Sequence, residues 1–250
     1  MSDADGAQQA SDAGAAALSD PPTNRVRWRA AHRYVSTRYP PISLFERIAD
    51  PDDWDALYVL ESMTNPRVRQ DVGDISLVPS ERRVFGPGAS IVMAPFTHIS
   101  PDRATRFSAG MYGVYYAANA PDTALREVAF HMARFHHATN DPPLLADYRG
   151  YAGSVDRTFH DIRGPQWEAL RNPDPNTYPT SQAFAARIRA AGSNGLVYAS
   201  ARHSAGMCIA AFWPDVVSMP KQADHVALRW DGTRVVSWID RTTGAETALR

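Results

Sequence analysis

The sequence predicts an α+β fold with a strand-rich core and few helices. Three observations carry this. Short runs rich in aromatic and β-branched residues recur between Gly113 and Trp238 and read as strands. Only two segments in that stretch show a sustained helical period. Asp231-Gly232 sits between two of the runs as a hairpin turn, so strands follow one another directly rather than alternating with helices in βαβ units.

Residues 1–22 are mostly Ala, Ser, Asp, Gly and Gln and close on Pro21-Pro22. They bury too little apolar surface to offset their ordering entropy, so a disordered tail is expected over 1–24. Arg25 to Arg38 is basic with Trp28 and Tyr34 interleaved, and reads as an amphipathic lead-in; Pro40-Pro41 then breaks the chain. After Pro51, Trp54, Leu57, Tyr58 and Leu60 recur at helical spacing within Phe45–Met63, with Asp52 or Asp53 as a cap. Gly73 to Ser100 carries Pro, Gly and short apolar runs such as Ser90-Ile91-Val92-Met93, and reads as loops and strands. Residues 25–100 are therefore expected to form a helical and irregular extension packed on a core spanning 101–250.

Within that core, Gly113–Ala118 is a strand, punctuated by Asn119-Ala-Pro-Asp122. Thr123–His137 is a helix whose Leu125, Val128, Ala129, Met132 and Phe135 make one apolar stripe. Ser181–Ala191 is a second helix closed by Gly192. Leu196–Ser200 and Met207–Trp213 read as two strands joined by a short loop, and Val226–Trp230 and Thr233–Trp238 as a hairpin.

Composition narrows the function. Lys+Arg 26 and Asp+Glu 27 nearly cancel across 250 residues, so no basic field points to direct nucleic-acid binding. No apolar run approaches the ~20 residues of a membrane helix, and Asp3, Asp5, Asp12 and Asp20 interrupt the N-terminal alanines where a secretory signal would be apolar. A cytoplasmic protein without membrane contact is expected. The single Cys208 excludes an internal disulfide and a cysteine-rich metal site. His131, His136 and His137 are spaced onto diverging helix faces, so no metal is expected there, and a polar helix end is the plainer reading. Gly-x-Gly-x-x-Gly, the Walker-type phosphate loop and the Gly-x-Ser-x-Gly elbow are all missing.

Glu127 lies about 200° around its helix from Leu125, on a polar face with Thr123, His131 and Arg134. By periodicity alone it is a solvated residue. Its sequence context says more. The segment Arg106-Phe-Ser-Ala-Gly-Met-Tyr-Gly-Val-Tyr-Tyr-Ala-Ala-Asn-Ala-Pro-Asp-Thr-Ala-Leu-Arg-Glu127 resembles the core of the RES-domain family, which is named for an arginine, a glutamate and a serine. Asn194-Gly-Leu-Val-Tyr-Ala-Ser-Ala-Arg202 resembles the family's serine motif, and the resemblance runs from Ile42 to Asp240, including Phe130-His131 and Tyr178 through Gln182.

The resemblance implies an ADP-ribosyltransferase-like fold, a mixed or antiparallel β core with flanking helices. It implies NAD as substrate and a toxin of a toxin–antitoxin system whose partner is an Xre-type helix-turn-helix antitoxin. It also implies roles. Glu127 would stabilise the positive charge that grows on the ribose as the nicotinamide bond breaks. Arg106 would hold the pyrophosphate by bidentate hydrogen bonds, with Arg47 sharing that task and Arg202 a weaker candidate. Tyr116 would offer a flat face and a hydroxyl, and Ser200 would fix the cofactor through its own hydroxyl. The acceptor would be water or phosphate. A protein-modifying mono-ADP-ribosyltransferase uses the same first step and is the alternative. A non-catalytic antitoxin-binding module would have lost the arginine or the glutamate, and both are present.

Overall fold

The computed structural model describes residues 19–39 and 73–249. The tail over residues 1–18, the helix expected within Phe45–Met63 and the candidate Arg47 lie outside the described residues. Within them, one mixed eight-stranded sheet is flanked by three α-helices, an α+β architecture. The strands are β1 (Thr23–Ser36), β2 (Tyr115–Ala118), β3 (Leu144–Asp161), β4 (Gly195–Ala199), β5 (Met207–Ala211), β6 (Lys221–Trp230), β7 (Val235–Asp240) and β8 (Glu246–Ala248). The helices are α1 (Ala89–Thr97), α2 (Pro121–Thr139) and α3 (Tyr178–Ala190).

The sheet order is β1-β2-β5-β4-β3-β6-β7-β8, and β1 also pairs with β3. That extra pairing closes a circuit, β1-β2-β5-β4-β3, from which β6, β7 and β8 extend. Only β3 with β4 is parallel, through His160–Leu196 and Asp161–Val197; the other pairings among the described residues are antiparallel.

Two expectations for the N-terminal region are corrected. Residues 25–36 are not a helical or irregular extension but most of β1, which begins at Thr23 inside the expected tail and pairs with β3 from Thr23–His160 to Ser36–Tyr148, with one register shift between Trp28 and Ala31. The reason is a period of two. Arg25, Arg27 and Arg29 are exposed, while Val26 and Trp28 between them pack against the core. The run containing Ser90–Met93 is helical, not extended. Ala89, Val92, Met93 and Phe96 fall on one buried face, and that period of 3.6 overrides the strand preference of Ile91 and Val92. The longest strand, β3, carried no expectation at all.

Each face of the sheet buries its own apolar layer, and successive residues alternate between them. Tyr115, Ala117, Val197 and Ile209 face the layer containing α1; Ala118, Leu196, Tyr198 and Cys208 face the one containing α2 and α3. The second layer holds the candidate site. Pro121 opens α2 at its first turn, where a missing N–H costs nothing, and Asn140 closes it in the left-handed region at φ 51°. Leu125, Ala129 and Met132 are buried as the stripe requires, but Phe135 is 47% exposed and Thr123, on the face expected to be polar, is fully buried. Thus α2 is covered on two sides along its first half, where its polar face borders a cavity at Glu127, while His131 and Arg134 further along that face stay exposed.

Candidate active site

That cavity, of about 260 Å³, lies between α2 and the β1–β2 part of the sheet. Glu127 and His131 line it from α2, Tyr116 from β2, and His32 and Tyr34 from β1, with Arg106 and Tyr178 on the remaining wall. Glu127 is the one carboxylate among these lining residues.

Glu127 is held in place. The Ser200 hydroxyl donates to Glu127 Oε1 at 2.5 Å, and Cys208 Sγ lies 4.0 Å from the same oxygen. Ser200 follows β4 in a tight turn, where its Oγ accepts from the backbone N–H groups of Arg202 and His203, both at 3.1 Å. With two donors already on the oxygen, its own proton is directed at Glu127. The sequence reading gave Ser200 the task of fixing a cofactor; its hydroxyl is instead turned to the carboxylate. Burial, together with the nearby Glu127 charge, pushes the Cys208 thiol well above its ordinary range, so it stays protonated.

Arg106 is buried, donates from Nη1 to the carbonyl of Asn172, and lies 4.8 Å above the Tyr178 ring. The segment carrying it is pinned by Tyr116, whose hydroxyl accepts from Phe107 N at 3.1 Å and shares a hydrogen bond with Thr105 Oγ1 at 2.9 Å. Gln182 Nε2 of α3 adds a bond to Thr105 O at 2.8 Å. The Tyr116 hydroxyl therefore holds the arginine-bearing loop while its ring lines the cavity. Burial pushes its pKa up to about 12, so it remains a phenol.

Arg202 donates to the carbonyl of Pro173 at 2.5 Å and stacks 3.3 Å over the Phe130 ring. Among the described residues neither Arg106 nor Arg202 forms an ion pair with a carboxylate. On the far side of Ser200 a second cavity of about 400 Å³ is lined by Glu168, Arg171, Asn172 and Pro173.

The structure thus brings Arg106, Tyr116 and Glu127 to one cavity, with Ser200 bonded to the carboxylate and Arg202 beside them. Sequence reasoning missed His32, Tyr34, Tyr198 and Cys208. The last two were findable from their alternating register on β4 and β5, whereas His32 and Tyr34 follow a bulge that breaks the alternation of β1 after Trp28. At the end of α2, His136 bonds Asp141 at 2.7 Å and His137 packs edge-on against Trp230 at 5.0 Å.

A family model described as the RES domain matches residues 80–231, more than half of the chain. A relative from Sinorhizobium fredii (strain NBRC 101917 / NGR234), named uncharacterized protein y4oC, is 26% identical over 209 residues, covering 82% of this chain and 84% of its own. Among solved structures, a chain of the M. tuberculosis MbcT–MbcA toxin–antitoxin complex is 13% identical with a TM-score of 0.43, over 89% of this chain and 92% of that one.

Proposed function

Because the chain belongs to the RES domain family, we propose that it is an NAD-consuming enzyme, the toxin of a cytoplasmic toxin–antitoxin pair, acting through the Glu127 cavity. The observation that carries this reading is a single oriented carboxylate, Glu127, in a cavity whose other ionisable groups are arginines, histidines, tyrosines and the protonated Cys208 thiol. That polarity fits NAD: a dianionic pyrophosphate for the arginines, and a ribose that turns cationic for the carboxylate.

In the reaction, the bond between ribose C1′ and the nicotinamide nitrogen breaks and its electron pair leaves with neutral nicotinamide. The ribose becomes oxocarbenium-like, and Glu127 faces that charge. Water attacks C1′, forms the new C–O bond and releases a proton, giving ADP-ribose; phosphate in place of water gives the ribose-1-phosphate analogue. Arg106, with Arg202 beside it, holds the pyrophosphate. Tyr116 presents its ring to the nicotinamide side, and Ser200 keeps Glu127 from rotating. In the cell the outcome is NAD depletion, restrained by an Xre-type helix-turn-helix antitoxin over the cavity. The shared chemistry also gives the fold an ADP-ribosyltransferase-like reading.

The purified protein with NAD and no other macromolecule should release nicotinamide in many turnovers. Release only when a protein acceptor is added would replace this reading with protein ADP-ribosylation, and no release in either case would refute both.

A further inference from the structure

We propose that His131 is a further ligand-binding residue, hydrogen-bonding the diphosphate of the dinucleotide between Arg106 and Arg202. This rests on the NAD reading above and adds the place of the diphosphate and a role for a residue to which the sequence resemblance gave none.

His131 is one helical turn beyond Glu127, on the same face and lining the same cavity. It is exposed there, and among the described residues neither ring nitrogen has a hydrogen-bond partner. The neighbouring histidines differ: His203 Nδ1 lies 2.8 Å from Thr123 Oγ1, His160 Nδ1 2.8 Å from Ser193 Oγ, and His136 is bonded to Asp141. Arg106 and Arg202 are each already bonded to a backbone carbonyl, of Asn172 and Pro173. The imidazole therefore adds a free donor or acceptor beside the guanidinium N–H groups that those two bonds leave open, Arg202 Nε among them.

Its charge surroundings name the ligand class. Crowding by protein atoms at its base, then the cations Arg134 on its own helix, Arg202 after β4 and Arg106 before β2, hold its pKa below the ordinary histidine range. Glu127 is the carboxylate facing the cavity. β1 lines the same cavity with His32, Arg33 and Tyr34, and α3 with Tyr178, none of them anionic at neutral pH. Asp224 is turned to Tyr34, which donates to it at 2.7 Å. A neutral imidazole ringed by three guanidinium groups is a place for a compact dianion. Once two phosphate charges lie there, they offset the guanidinium groups, the imidazolium becomes favourable, and binding takes up a proton.

The test uses ADP-ribose, whose diphosphate does not titrate in this range, and calorimetry in two buffers of different ionisation enthalpy. The parent should take up a proton at about pH 5.5 and none at about pH 8, with affinity falling as pH rises. His131→Asn should bind about tenfold more weakly at the lower pH and take up measurably less, with its melting temperature reported alongside. His32 also lines the cavity, and uptake shared by parent and variant would belong to it. ADP-ribose binding with no uptake, or with equal uptake in the variant, overturns the role of His131 while the NAD reading stands. A parent that neither binds ADP-ribose nor releases nicotinamide overturns both.

Discussion

Ser200 Oγ lies 2.5 Å from Glu127 Oε1 and is the donor of that hydrogen bond, because the N–H groups of Arg202 and His203 point at the same oxygen. A turn after one strand thus sets the rotamer of a carboxylate on a helix. Ser200→Ala should lower kcat about 10²-fold through a misaligned carboxylate, with KM for NAD changing much less. Ser200→Thr, which keeps the hydroxyl, should recover a large part. Kinetics and thermal melts on both variants check this; equal kcat in parent and Ala variant would remove Ser200 from the site.

Glu127→Gln keeps an oxygen for the Ser200 hydroxyl and removes the charge. The fold should tolerate it, with a melting temperature near that of the parent. Nicotinamide release should slow by about 10²–10³-fold, and toxicity on expression should vanish. Turnover within a few-fold of the parent would make Glu127 an ordinary helix residue.

Arg106 presents a planar fork that lysine does not reproduce. Arg106→Lys should weaken NAD binding, and Arg106→Ala more, by on the order of 1.5–3 kcal/mol. Because Arg106 is buried at 8% exposure and bonded to Asn172 O, the Ala variant should also melt earlier. Titrations with NAD decide; an Ala variant with parental affinity contradicts the assignment.

The free protein should also report His131 through its pH–stability curve. The folded pKa lies below the ordinary 6.5 of the unfolded chain. Between those values the unfolded chain binds the extra proton, so stability is whole above the unfolded value and declines as pH falls toward the folded one. His32 and His160 are shifted the same way, each chiefly by burial. Melting temperature should therefore fall for the parent across this window and fall less steeply for His131→Asn. Superimposable curves would show that the imidazole titrates normally.

Expression without a partner should arrest growth and deplete NAD, and co-expression of a neighbouring helix-turn-helix protein should restore both. Unchanged NAD and growth on expression alone would contradict the toxin reading.

The α+β class and the family were legible in the sequence because both rest on local signals. The Tyr115–Ala118 strand, the Pro121 start of α2 and the Asp231-Gly232 turn are set by neighbours in the chain. What escaped depends on distant partners. In β1 the arginines concealed an alternation that has meaning only once β3 lies alongside, and β3 mixes glycines with charged residues that gain their register from β1 and β6. Glu127 shows the same limit at the site. Helical periodicity placed it on a polar face correctly, but the cavity exists because β1 and the loop of Arg106 arrive opposite that face.

The pairing of β1 with β3 also separates the folding unit from the unit that sequence families recognise. The family match begins at residue 80, beyond β1 and its His32 and Tyr34, and ends at residue 231, before β7. A protein trimmed to those limits would leave β3 bare from Tyr148 to His160, an extended row of unsatisfied amides and carbonyls of the kind that recruits other chains into aggregates. Gene fusions, truncations and domain swaps that respect the family boundary would thus cut through the sheet, and the N-terminal strand has to travel with the motif it precedes.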